Sequence, residues 1–504
     1  MKQKAQIKKE EVRHIILVTA ASSDLARKME LVDTLQRIGV DYHYKKEIDE
    51  LLCSLYHDKD TGSEDLYITS LRFYLLRKHG HTGVSSDVFE KFRDEQGNIS
   101  SDDVSCLLML YDAAHLRTHG EEILDNIITF NKTRLQSWMM KNLEPELAEE
   151  VRCTLETPRF RRVKRVEARR YISVYEKKTT RDETILEFAK LDYNIVQAIY
   201  CDELKELTIW WKDFQVGTDM SSTRDRMVEL HFWMMGMVYE PYYSYSRKML
   251  TKFVVYATMF DDLYDNYSTT EESNIFTTAL ERWDEQATEE FPARLKTLLL
   301  NIFSSTNKME EDLKFQKNRH AELVKELVIH TAKSYHAEVA WRDQHYVPAS
   351  VEEHLRISNP SSICMQITNL ALISLGNVTT REDVDWVFTF PKIIRGTCTV
   401  SRIVNDIMSH EREQASEHVV STVQTCMKQY GVTVEEANEK LRIIVEEAWM
   451  DIIEECLDQK RPMALLEVAV DLARTMDFMY KREDAFTMSF SLKNVITAMY
   501  VNSV

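Results

Sequence analysis

The chain has 504 residues with only 11 glycines and 8 prolines, about a third of what average usage supplies. Turns and bulges are therefore scarce, which excludes collagen, disordered tracts and all-β sandwiches. Lys and Arg number 64 against 82 Asp and Glu, a formal net charge of −18 that repels a phosphate backbone and leaves no nucleic-acid partner expected.

Charged residues dominate the opening stretch up to Glu11, and the apolar run from Ile15 to Ala21 is too short and wrongly flanked for a signal peptide. No segment approaches the roughly 18 apolar residues of a membrane span, so a cytoplasmic protein without one is expected. The cysteines form no CxxC pair and have no His at zinc-ligand spacing, which reads as reduced thiols.

Apolar residues then recur at helical spacing: Leu25, Met29, Leu31, Val32 and Leu35, then Leu66, Leu71, Tyr74 and Leu75, then Leu107, Leu110, Ala114 and Leu116. The breakers Gly80 to Gly83 and Glu95 to Asn98 read as helix–helix connections. From Arg159 to Arg170 lie Arg159, Arg161, Arg162, Lys164, Arg165, Arg169 and Arg170. With little aromatic interleaving in an acidic chain, this run reads as a solvated face or an interdomain contact rather than a polyanion site.

Beyond about residue 190 the helices lengthen, which divides an all-α fold into two helical domains, 1–190 and 191–504. Phe253 to Phe260 is apolar on every side and belongs at the centre of a bundle. Ser268 with Glu271, Thr379 with Glu382, and Thr433 with Glu436 have capping-box spacing, the last after Gly431, a plausible helix stop.

The apolar helix runs into Asp261, Asp262, Leu263, Tyr264 and Asp265. Asp261 and Asp265 fall one turn apart on one face. Oxygen donors without His or Cys suit a hard cation such as Mg²⁺. A solvated helix end is the alternative, although a helix buried on all sides does not end in three aspartates without cost. Asn405, Ser409 and Glu413 are spaced by four and form a second oxygen row, which in isolation also fits a wet helix face. Arg224 and Arg226, with Arg402 three residues ahead of Asn405, offer guanidinium groups for phosphate oxygens, surface salt bridges being the alternative. Trp233 lies seven residues after Arg226, and Val254, Ala257 and Thr258 precede Asp261 on its face. Together they read as the wall of an apolar cavity beneath the acidic rows, with the Trp ring facing a cation.

In this order and spacing the motifs resemble plant-type class I terpene synthases, sesquiterpene synthases most of all, and the resemblance extends from Glu10 to Lys493. It implies a C-terminal class I isoprenoid-synthase α-bundle and an N-terminal helical domain without its own active site. By the same resemblance, Asp261, Asp265, Asn405, Ser409 and Glu413 hold three Mg²⁺ ions, for which Mn²⁺ can substitute. Arg224, Arg226 and Arg402 bind the diphosphate of a prenyl substrate, and Glu338 lies near the metal rim. The activity implied is ionisation of farnesyl diphosphate with cyclisation to a sesquiterpene, by a monomer or weak dimer. The alternatives are a monoterpene synthase acting on geranyl diphosphate and an inactive helical relative or scaffold. A chain-elongating prenyltransferase would be expected to carry a second DDxxD in place of the Asn405 row.

The sequence also departs from the family. It begins downstream of the stretch that usually folds over the site mouth. Asp484, Ala485, Phe486 and Thr487 stand where the lid loop commonly reads Asp-Gly-Tyr-Thr, and Ala415, Ser416 and Glu417 stand where an Arg-Gly pair is often found.

Overall fold

A computed structural model describes the chain apart from residues 59–64, 142, 216–224, 285, 287–290, 377–378, 416–419 and 459. Every regular element among the described residues is helical. In chain order these are α1 (Lys2–Ala21), α2 (Leu25–Arg37), α3 (Lys45–His57), α4 (Leu66–Lys78), α5 (Val104–Ala114), α6 (Glu122–Met139), α7 (Pro145–Glu156), α8 (Lys164–Glu176), α9 (Glu183–Gln215), α10 (Met227–Met237) and α11 (Ser244–Asp262). They continue with α12 (Thr270–Arg282), α13 (Ala293–Phe315), α14 (Leu323–Gln344), α15 (Val351–Ser361), α16 (Cys364–Ser374), α17 (Arg381–Phe388), α18 (Lys392–Gln414), α19 (Thr422–Tyr430), α20 (Val434–Leu457), α21 (Met463–Met479) and α22 (Lys493–Tyr500), with short 3₁₀ turns between some of them. No described helix is long and apolar enough to cross a membrane.

Two units are distinguishable. The first comprises Met1–Ala198, Met450–Met463 and Thr497–Val504; the second comprises Ile199–Trp449 and Ala464–Ile496. The long helices α9 and α20 run through these limits, so chain continuity and unit membership diverge there.

In the first unit, the predicted apolar stripes face inward. Met29, Leu31, Val32 and Leu35 of α2 are buried, and Val104, Leu107, Leu108 and Tyr111 of α5 form a core with Leu135 and Val151. Most of the basic run also faces inward, unlike the solvated face, which is one of its two expected readings beside an interdomain contact. Arg159 pairs with Asp33, and Arg170 lies 2.9 Å from both Glu150 and Glu167. Arg37 lies 2.8 Å from Glu150 and 3.0 Å from Glu167, and its guanidinium stacks 3.7 Å from the Tyr171 ring centroid. Arg162 donates to Thr154 Oγ1 at 2.8 Å, and Arg165, buried, sits 4.5 Å over the Tyr193 ring. Buried charge survives only when paired, and these acids are close enough to hold the guanidinium groups inside.

In the second unit, α10 packs on α11, and α14 packs on α11, α12 and α15. Further contacts join α16 to α11 and α18, and α15 to α18. A buried ion cluster fixes the start of α11: Arg247 meets Glu203 at 2.6 and 2.9 Å, while His231 Nε2 lies 2.8 Å from the same carboxylate. Every residue from Phe253 to Phe260 is buried, as an all-apolar helix requires.

Two helix starts fall one residue later than their capping spacing predicts. Thr269 with Glu272 caps α12, and Thr380 with Asp383 caps α17. Tertiary hydrogen bonds decide the register: Ser268 Oγ donates to Leu263 O at 2.8 Å, and the buried Thr379 Oγ1 donates to Leu372 O at 2.8 Å. The Thr433 and Glu436 pair caps α20 as expected, with backbone-to-side-chain bonds of 3.0 and 3.3 Å. It follows Gly431, whose φ of +64° ends α19.

Candidate active site

The apolar helix α11 carries Asp261 and Asp262 on its last turn and gives way to a π-helical turn over Leu263–Tyr267 that presents Asp265. Such turns widen the helix and recur at functional sites. This one is anchored from α14, where Arg342 Nη1 donates to the carbonyls of Tyr264 and Ser268. The Tyr264 hydroxyl is bound at 2.7 Å to Thr277.

Asp261 and Asp265 line a cavity of about 460 Å³, within the range of small-molecule sites, roughly 300–1,000 Å³. On its other side α18 contributes Arg402, Asn405, Asp406 and Glu413, while α14 contributes Tyr335 and Glu338. Trp233, Val254, Ala257 and Thr258 supply a largely apolar wall. Ser409 is fully buried on α18; its Oγ makes no hydrogen bond of good geometry and has Glu413 as its neighbour.

Asp261, Asp265, Asn405, Glu413, Arg402 and Trp233 thus meet on one cavity, whereas Ser409 is buried within α18 and does not line it. Arg226 takes a different part from the one expected. As the residue at the N-cap of α10, it donates from Nε to Phe486 O at 2.9 Å and from Nη2 to Thr487 O at 3.0 Å. The loop thereby held stacks the Phe486 ring on Trp233 at 5.5 Å between centroids and 10° between planes. Arg412 donates to Asp484 at 2.7 Å in the same loop. Arg224 lies outside the described residues, as do Ser416 and Glu417.

Seven carboxylates and two guanidinium groups line the cavity. Arg402 reaches between two of the acidic groups, with Nη2 3.7 Å from Glu338 and Nη1 3.8 Å from Asp406, while Arg412 Nη2 lies 3.5 Å from Glu413 and 2.7 Å from Asp484. Arg402 Nη2 also donates to Ser361 Oγ at 2.9 Å, and Ser361 in turn donates to the Glu338 carboxylate. Burial, reinforced by Asp261, Glu338 and Glu413, holds the Asp265 carboxyl well above its usual range. Burial and the Asp406 charge push Glu413 up to about 7. Burial raises Glu338 and Asp406 as well, against the opposing pull of Arg402. Crowded acids in that state call for a cation. With oxygen donors only and room for phosphate, the donor set fits a hard divalent ion of the Mg²⁺ type.

Several lining residues escaped the sequence reading. Ser361, Ser362 and Ile363 enter because α15 breaks just after Pro360, with Ile363 at φ +58°. The Asn359-Pro360 pair was the available signal. Met476 and Tyr480 come from the end of α21 and carry no motif.

Comparison with known proteins identifies the family. The family model described as "Terpene synthase, N-terminal domain" matches residues 1–155, and "Terpene synthase family, metal binding domain" matches residues 212–451. The (E)-beta-caryophyllene synthase of Zea mays is 55% identical, with 100% of this chain and 92% of the relative aligned. The (E)-beta-farnesene synthase of Zea diploperennis is 43% identical over 100% and 94%. Among solved structures, isoprene synthase from grey poplar leaves (Populus x canescens), in complex with three Mg²⁺ ions and dimethylallyl-S-thiolodiphosphate, superposes with a TM-score of 0.92 at 28% identity, covering 100% of this chain and 97% of that one. Limonene synthase with 2-fluorolinalyl diphosphate gives 0.92 at 28%, covering 100% and 95%.

Proposed function

The chain belongs to the terpene synthase family, and from that premise we propose that it ionises farnesyl diphosphate and folds the resulting cation into a sesquiterpene, releasing diphosphate. One observation carries this reading: seven carboxylates, with only two guanidinium groups among them, share one cavity of about 460 Å³ with an aromatic, apolar wall. The C15 substrate is favoured over C10 by relatives named for farnesene, caryophyllene and zingiberene.

In this reading Asp261, Asp265, Asn405, Ser409 and Glu413 hold three Mg²⁺ ions, with Mn²⁺ able to replace them. The bound ions supply neutralisation of the charge that develops on the leaving diphosphate. Arg402, and Arg224 by resemblance, add guanidinium donors to its oxygens, which act most strongly in a water-poor site. Arg226 works at one remove: it ties the Phe486 carbonyl and keeps that ring on Trp233. The paired rings offer π faces to the allylic cation. Beside Trp233, Val254 and Ala257 the hydrocarbon chain can react among side chains that do not add to it. Proton loss then ends the reaction.

The test is incubation of the purified chain with Mg²⁺ and, separately, farnesyl, geranyl and geranylgeranyl diphosphates, each with and without isopentenyl diphosphate, with analysis of headspace and extracts. Diphosphate release with C15 hydrocarbons or alcohols is expected. C10 products alone would transfer the reading to a monoterpene synthase, elongated diphosphates to a prenyltransferase, and a folded protein with no turnover to a scaffold.

A further inference from the structure

The first unit carries a larger, open cavity, of about 900 Å³, among α1, α2, α5, α7 and α8. Its charges are mostly committed to one another. Arg159 is paired with Asp33, and Arg37 with Glu150 and Glu167. Lys177 lies 3.0 Å from Glu146, and Lys178 donates to the Tyr171 hydroxyl at 3.0 Å. Asp112 differs from all of these. Its side chain lines the cavity at 1% exposure, and Oδ1 accepts the Arg159 backbone N–H at 2.9 Å. Among the described residues, Oδ2 receives no hydrogen bond and no ion pair reaches the carboxyl.

An ionised carboxylate presents about four lone-pair positions, and the Arg159 amide fills only one of them, which leaves Oδ2 facing the cavity without a protein donor among the described residues. A protein can tolerate this where something else supplies the donor. The wall beside Asp112 is made by Leu108, Met109 and Tyr67, an apolar and aromatic surface suited to a hydrocarbon body. The lining carries six carboxylates against five cationic side chains, and the cations paired within it are held by acids other than Asp112. Burial also pushes the Asp112 carboxyl up to about 6, against the opposing pull of Arg162 and Arg159.

We infer that this cavity is a binding site for a small organic ammonium ion, whose N–H donates to Asp112 Oδ2 while its apolar body rests on Leu108, Met109 and Tyr67. The site is built from the first unit alone and takes no part in the diphosphate chemistry. It is independent of the reading given above.

Calorimetric titration of the full-length protein with 2-phenylethylammonium tests it, with 3-phenylpropionate as an anion of similar shape. Saturable one-to-one binding of the amine is expected, together with no binding of the carboxylate. Asp112→Asn should weaken the amine at least about tenfold, since a charged hydrogen bond is lost, while prenyl diphosphate turnover stays unchanged. No saturable amine binding to folded protein, equal binding of the anion, or undiminished binding in the variant overturns the inference. Should that variant not fold, crystals of the wild-type protein soaked with the amine decide. Nitrogen within about 3.2 Å of Asp112 Oδ2 supports the site, and density elsewhere or none refutes it.

Discussion

Both units bury clusters of carboxylates, and the two clusters are in opposite electrostatic states. Around α8, the acids Asp33, Glu150 and Glu167 are interleaved with Arg37, Arg159, Arg162 and Arg170. Although burial opposes ionisation there, those guanidinium groups win, pulling Glu150 down to about 2 and Glu167 lower still. Around the cavity of the second unit, Asp265, Glu338, Asp406 and Glu413 are all pushed up, with Arg402 as the counter-charge of the first three and Arg412 as that of Glu413. Burial alone does not separate the two clusters, since both are deeply enclosed. The difference is stoichiometric. The first cluster is complete as folded, whereas the second is short of positive charge that only a ligand can bring.

Removing a carboxylate from the incomplete cluster should therefore cost function and not stability. Asp261→Ala is expected to abolish turnover: metal-assisted departure of a leaving group is worth several kcal/mol, hence about 10³-fold or more in rate. Its unfolding temperature should match the wild type. Steady-state product formation and calorimetry on the same preparation check this, and turnover within tenfold of wild type would break the contrast.

The complete cluster should respond the other way. Arg37→Ala leaves Glu150 and Glu167 each short of a partner and removes the stack on Tyr171. Breaking a buried pair from one side costs about 3–5 kcal/mol, visible as a lower denaturant midpoint. The affinity for Mg²⁺ and the KM for substrate should not change.

The incomplete cluster was the more legible of the two from sequence. Three aspartates at the end of an all-apolar helix, and a row spaced by four on another, each conflict with their own local setting, and such a conflict survives in one dimension. The arginine cluster carries no such sign, because Arg159 and Asp33 are 126 positions apart and a run of basic residues looks the same whether it faces water or buried acids. The same limit applies to Arg226, whose partners Phe486 and Thr487 lie about 260 residues away. Cap positions were ambiguous for a different reason. Ser268 and Thr269 both begin an acceptable capping spacing, and only the bond from Ser268 to Leu263 O selects between them.

A smaller effect separates the clusters without any substrate. Asp265→Asn removes one of the mutually repelling charges, so the metal-free protein should gain about 1 kcal/mol or more, the value of one pKa unit. Its unfolding temperature should rise without Mg²⁺ and no longer respond to added Mg²⁺. A fall without metal would mean that Asp265 is satisfied by protein groups after all.

The pH dependence is the finest discriminator, and its sign differs between the units. Glu413 has a folded value of about 7 against the usual 4.5. Below 4.5 it is protonated whether folded or not and costs nothing. Between 4.5 and 7 the unfolded chain gives up this proton first, so stability falls as pH rises, and the cost is complete above 7. Glu150, held at about 2, contributes stability that is complete above 4.5 and is lost as pH falls towards 2. Calorimetric scans without metal should therefore show a decline of a few degrees between about pH 5 and pH 7.5, one that Glu413→Gln removes. Saturating Mg²⁺ should cancel the same decline, because an ion that binds the carboxylate competes with the proton. The acid-side loss, in contrast, should be indifferent to Mg²⁺ and reduced by Glu150→Gln, since its counter-charges are covalent parts of the chain and cannot be titrated away by a chelator. A metal-free protein equally stable at both ends of the upper window would show that the second cluster is as complete as the first, leaving no electrostatic reason for an ion to bind there.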